Sequence, residues 1–126
     1  MKVKLTAVLL VLIAAMVPVV GHANNPQYRS VVVTFTKNTI FYDSLLRGQY
    51  LIVHDDSAMA IPGKHCTRVY RYDNGQVGPL VTSFRCQPVQ TETAKQTNFS
   101  IVSSGAVLSR VTGFQLTGDE EIHAVP

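Results

Sequence analysis

Beyond residue 23, six side chains in this sequence are donors of the kind that bind soft or borderline metal ions: His54, Met59, His65, Cys66, Cys86 and His123. A site mixing imidazole, thioether and thiolate donors favours copper over harder ions. The spacing matches neither the paired Cys-x-x-Cys of a zinc knuckle nor the Cys-x-x-Cys-His of covalent haem attachment. His65 and Cys66 are adjacent, so on a strand they point to opposite faces and do not share one ion. The set read for a metal, copper or zinc, is His54 and His123 with Met59 or nearby carboxylates. A competing reading takes the cysteines alone. An even number of cysteines in an oxidising compartment is most simply a bridge, and an oxidised pair offers no thiolate to an ion. A Cys66–Cys86 disulfide closes about 20 residues and contributes on the order of 3 kcal/mol. That bridge, with no cofactor, is the expectation, and the metal site is its alternative.

Carboxylates neighbour an imidazole twice, in His54-Asp55-Asp56 and in Asp119-Glu120-Glu121-Ile122-His123. A carboxylate beside a histidine stabilises imidazolium and fixes a tautomer, which serves a general base or a metal ligand. The plainer reading is a solvated loop and an acidic tail, since acidic residues commonly occupy exposed turns. Ser57 completes the residue types of a hydrolase triad, but nucleophile, base and orienter do not easily converge from within four positions. The sequence has no Gly-x-Ser-x-Gly elbow, phosphate loop or dinucleotide fingerprint.

The start of the chain sets the compartment. Lys2 and Lys4 form a positive n-region, and Leu5 to Val20 is an uncharged apolar run of 16 residues. Gly21-His22-Ala23 then supplies small residues where a signal peptidase reads, which predicts cleavage between Ala23 and Asn24. The run is shorter than the roughly 18 to 20 residues that cross a bilayer core, so no membrane span is expected in the mature chain. Removing 23 of the 126 residues leaves 103, one domain's worth, with nine Lys and Arg against eight Asp and Glu. Those charges are scattered singly, which excludes the basic, aromatic-interleaved face of a nucleic-acid binder.

The elements that must position these residues are strands. Arg29 to Thr36, Thr39 to Tyr42, Gln49 to His54, Cys66 to Tyr72, Leu80 to Val89, Phe99 to Val102 and Ala106 to Leu116 are short, β-branched or aromatic runs between turn residues. About seven such strands predict an all-β domain over 24–126, a small antiparallel sandwich or barrel. Asn74-Gly75 is the strongest hairpin signal. The register that sets Cys66 opposite Cys86 also sets Tyr70 opposite Thr82 and Tyr72 opposite Leu80. It needs a loop wider than a two-residue turn, and Gln76 to Pro79 supplies the spare residues. Pro88 ends its strand or lies at an edge, and Gly113 marks a bulge. Ser57 to Lys64 reads as a loop and Gly118 to Pro126 as an irregular tail. Tyr70 and Tyr72 share a face with Cys66 and are expected in the core.

Gly48-Gln49-Tyr50, the run Val53-His54-Asp55-Asp56-Ser57-Ala58-Met59-Ala60, Phe84-Arg85-Cys86-Gln87-Pro88-Val89, and Phe114-Gln115-Leu116-Thr117-Gly118-Asp119 onward to Pro126 resemble a group of small exported bacterial proteins seen chiefly in acidobacteria. The resemblance covers most of the mature chain. It implies a bacterial, exported location, periplasmic or extracellular, and carries no activity. Relatives often have His where this chain has Arg85, a departure that weakens any metal site carried over from the group. The function read from the sequence is a non-enzymatic binding or cell-envelope domain with an unidentified protein or envelope partner. A periplasmic metal-binding protein of copper type is the alternative, and a hydrolase comes third.

Overall fold

In the computed structural model, residues 28–126 are described, apart from residue 106. The expected signal peptide and its cleavage site, Ala23 and Asn24, lie outside them. The two β-branched runs at the start form one strand, β1 (Tyr28–Phe41), because a register shift between Phe35 and Thr39 bends the strand without ending it. Such a bulge raises local twist. A two-residue turn at Tyr42-Asp43 leads into β2 (Ser44–Asp55). Tyr42 takes φ 57°, and its ring packs 5.1 Å from that of Phe84. One helical turn, α1 (Asp56–Met59), opens the segment read as a loop. It is capped by the Asp55 carboxylate, which accepts from the Ser57 N–H.

The strands that follow are β3 (Thr67–Asp73), β4 (Gln76–Phe84), β5 (Gln87–Gln90), β6 (Asn98–Ser104), β7 (Leu108–Gln115) and β8 (Glu121–Ala124). They form one curled sheet, a half-barrel, in the order β4-β3-β2-β1-β7-β8-β5, with β6 also paired to β7. The expectation of a small all-β domain of about seven strands holds, but the sheet is mixed: β1 and β7 run parallel from Asn38↔Leu108 to Phe41↔Val111. Gly113 sits at a register shift between β6 and β7, as expected. The tail is a correction, because β8 pairs with both β5 and β7. No helix among the described residues is long and apolar enough to cross a membrane.

The hairpin at Asn74-Gly75 closes tightly, with Asp73 opposite Gln76 and positive φ at both turn residues. Two register shifts further along return residues to the longer arm, so that Thr67 faces Phe84. Cys66 and Cys86 are therefore offset by one position, not opposite each other. The regular pairing with β2 corrects the tyrosines, since the buried Ile52 and His54 stand opposite Val69 and Thr67 and leave Tyr70 and Tyr72 on the other face. Thr67 and Val69 are fully buried, while Tyr70 and Tyr72 are half-exposed.

The inner face of the curl holds Phe35, Phe41, Leu46, Tyr50, Ile52, Val69, Phe84, Val111, Phe114 and Leu116. On β2 the buried positions alternate through Tyr50 and Ile52 to His54, the period-2 pattern of a strand with one face inward. Over this end of the core, Arg85 fastens the α1 segment. Its guanidinium donates to the carbonyls of Ala58 (3.3 Å), Met59 (2.6 Å), Ile61 (2.9 Å) and Lys64 (3.1 Å). Arg85→Ala removes four charge-assisted contacts at a partly exposed site and should cost about 2 kcal/mol. A fall in Tm of roughly 8–16 °C follows at this domain size. Thermal melts, with hydrogen exchange at the Ile61 and Lys64 amides, check this; unchanged exchange there would mean that the segment holds itself.

Candidate metal centre

Four strand ends deliver four donors to one buried spot. His54 is the penultimate residue of β2, Cys66 directly precedes β3, Cys86 lies in the break between β4 and β5, and His123 is in β8. His54, Cys66 and His123 have no solvent exposure, and Cys86 has 3 %. The donor atoms of His54, Cys66 and Cys86 all lie within 4.8 Å of one another. His123 lies outside that mutually close set and approaches it through Cys86, with Nδ1 3.5 Å from its Sγ, and the two imidazole rings are tilted by 33° with centroids 3.7 Å apart. His54 Nδ1 is 3.9 Å from the Cys86 sulfur and 3.4 Å from the Thr67 hydroxyl.

The expected disulfide is not formed. Cys66 and Cys86 are free thiols with their sulfurs 2.9 Å apart. The bulged hairpin leaves neither cysteine directly across the ladder from the other. The Cys86 backbone N–H donates to the Cys66 sulfur at 3.2 Å. The hydrogen bond between the two side chains holds the Cys66 thiol down at about 6 and pushes the Cys86 thiol up.

Both histidines are turned the same way. His54 Nε2 is 2.9 Å from Asp56 Oδ1, and His123 Nε2 meets Asp119 Oδ2 in a short contact. With the carboxylates accepting from Nε2–H, the Nδ1 edge of each ring is left facing the sulfur side, the orientation a metal ligand needs. Arg29 ties the two carboxylates together, 2.9 Å from Asp56 and 3.7 Å from Asp119. Burial works to raise the Asp119 carboxyl, but the hydrogen bond from His123 and the charges of His123, Arg29 and His54 outweigh it and hold Asp119 below the usual carboxylate range. Arg29, Asp56 and Asp119 also line an open polar cavity of about 490 Å³ with Gln90, Gly118, Glu120 and Glu121.

Burial, followed by the neighbouring His123 charge, depresses His54 to about 4, against the opposing pull of Asp56 and Asp119. In the reduced, metal-free protein the folded state therefore keeps His54 neutral where the unfolded chain takes up a proton. Stability from this group is complete above the ordinary value of 6.5 and declines as pH falls from there to about 4. The slope is at most about 1.4 kcal/mol per pH unit. Urea midpoints between these limits check the sign, and a midpoint that rises on acidification would refute it.

Of the residues read from the sequence, His54 and His123 come together and Met59 does not join them in a bonded role. Its carbonyl is held by Arg85 and its side chain packs on the apolar core. His65 is exposed and bonds Ser83. Ser57 Oγ donates to Asp55 and His54 turns to Asp56, so no triad is assembled. The sequence reading assigned the cysteines to a bridge instead of to the histidines, weighed the carboxylates beside each histidine but preferred a solvated loop and an acidic tail, and did not single out Arg29. The spacing of Asp119 and His123 was visible, but its meaning depended on β8. No family model, curated protein or solved structure matches the chain.

Proposed function

We propose that this chain is an exported, non-enzymatic metal-holding domain in which Cys66, Cys86, His54 and His123 grip one zinc ion. The observation that carries this reading is the paired orientation of the histidines, each with Nε2 on a carboxylate and Nδ1 toward Cys86. Bonds of about 2.3 Å to sulfur and 2.0–2.1 Å to nitrogen, at tetrahedral angles, place nitrogen and sulfur donors about 3.6 Å apart. The Nδ1 to Sγ distances are 3.5 and 3.9 Å. Two thiolates and two imidazoles in a tetrahedron suit zinc better than the copper read from a thioether set. Two thiolates also neutralise a divalent ion, which removes the cost of burying either charge alone. Four protein donors fill the coordination sphere, so the site holds an ion and offers no place for a hydrolytic water.

The test is zinc titration of the reduced protein, with X-ray absorption of the product. One ion per chain, with two sulfur and two nitrogen neighbours, is expected. Asp119→Asn keeps the shape but removes the carboxylate acceptor, and should weaken binding by roughly 10–100-fold. Absence of stoichiometric zinc after removal of all other metals would end this reading. Tight uptake of monovalent copper with zinc excluded would reassign the ion.

A further inference from the structure

The geometry points to a redox gate at this centre: we propose that a hydroperoxide converts Cys66 and Cys86 to a disulfide and thereby ejects the zinc ion, and that thiol reduction restores the site. The proposal rests on the zinc reading above and goes beyond it.

The sulfurs stand 2.9 Å apart. A tetrahedral ion needs them about 3.8 Å apart, given sulfur bonds of about 2.3 Å. A disulfide needs about 2.05 Å. Each state is thus reached by a shift of a little under 1 Å from the same starting point. The chain allows that shift where it matters. Cys86 lies in the two-residue break between β4 and β5, and its backbone N–H donates to the Cys66 sulfur instead of a carbonyl. Cys66 is anchored, with its N–H on the Phe84 carbonyl and its own carbonyl accepting from Asp55. One sulfur is anchored through its own backbone, and the other lies in a two-residue break outside both ladders.

Burial selects the oxidant. A disulfide on another protein must bring the bulk of its own chain up to an attacking thiolate, and with Cys66 at 0 % and Cys86 at 3 % exposure there is no room for a partner of that size, whereas a small dithiol or peroxide carries no such bulk. A hydroperoxide is small and polar. The cavity lined by Arg29, Asp56 and Asp119 brings solvent to the carboxylates that contact the two imidazoles, one side chain away from the sulfurs.

The step balances without a further reactant. One thiolate attacks the peroxide oxygen, the O–O bond breaks, and the sulfur becomes a sulfenic acid as an alkoxide or hydroxide leaves and is protonated. The second thiolate attacks that sulfur, the S–S bond forms, and hydroxide leaves to become water. Two thiolates give up two electrons, the peroxide gains them, and two protons come from solvent. Zinc keeps only His54 and His123 and departs.

The experiment treats zinc-loaded wild-type protein with stepwise hydrogen peroxide, reading released zinc with a chromogenic chelator and intact mass after alkylation. The expected result is one zinc released for each chain that becomes two hydrogens lighter, with full rebinding after a dithiol reductant. A bridge that forms while zinc stays bound overturns the proposal and leaves the zinc reading standing. So does a product two oxygens heavier with no bridge, or oxidation no faster than that of Cys66→Ser. A reduced protein that takes up no zinc at the outset overturns both.

Discussion

Free zinc at about 1,000 times its dissociation constant should raise the melting temperature of the reduced protein by roughly 16–32 °C. An ion that binds only the folded state at that excess adds about 4 kcal/mol. Each kcal/mol moves Tm by about 4–8 °C for a domain of this size. The effect is large because the four donors come from the end of β2, the start of β3, the break after β4, and β8. Those positions lie far apart in the sequence, so the unfolded chain offers the ion no comparable site and binding energy becomes folding energy. Cys86→Ser should abolish the shift, since Cys86 is the residue that touches both imidazoles. Met59→Leu should retain it, because that side chain packs on the core and a volume-conserving exchange there costs little. Differential scanning fluorimetry under reductant separates the two donor sets. A shift below about 4 °C in the wild type, or one lost in Met59→Leu, would return the site to the set built on Met59 or remove it.

The elements of the fold were legible in the sequence wherever a local signal decides them. Asn74-Gly75 makes the two-residue turn its type demands, and β-branched runs mark β1, β2 and β7. What local signals cannot report is pairing at a distance. β8 is strand only because β5 and β7 flank it, and without those partners Glu121 to Ala124 carries no strand pattern strong enough to be read. The parallel match of β1 to β7 likewise has no signature in either segment.

Register decided the fate of the cysteines. The tight turn and the bridge were incompatible on a regular ladder, and the structure keeps the turn. Two bulges around Gly78-Pro79 and Val81, on the edge strand where proline is tolerated, then stop one residue short of opposing Cys66 to Cys86. The inward face was ambiguous for a simpler reason. Leu51 and Val53 are as apolar as Tyr50 and Ile52, so alternation alone did not show that His54 points into the core beside Phe114. Asp56 and Asp119 looked like solvated turn residues because the imidazoles they support arrive by tertiary packing.

Phe41→Ala should cost about 3–5 kcal/mol, the range for a fully buried aromatic truncated in a close-packed core. Phe41 has no exposure and is ringed by Phe35, Phe84, Phe99 and Phe114, with centroids 5.6 to 6.5 Å away. It also lies where β1 turns from its antiparallel partner Ser44 to its parallel partner Val111, so both sheet neighbours depend on its packing. A domain of about 100 residues has roughly 5–15 kcal/mol in all, so the loss takes about a fifth or more of it. The damage should reach the metal centre, because Phe114 stacks between Phe41 and His123 at 6.0 and 5.2 Å. Urea melts of the metal-free variant should show the full loss, and added zinc should recover part of it at reduced affinity. Leu45→Ala, one residue from the turn at an exposed position, is the control and should change stability by less than about 0.5 kcal/mol. Equal effects of the two substitutions would mean that the inner face of the curl is not the core that supports the centre.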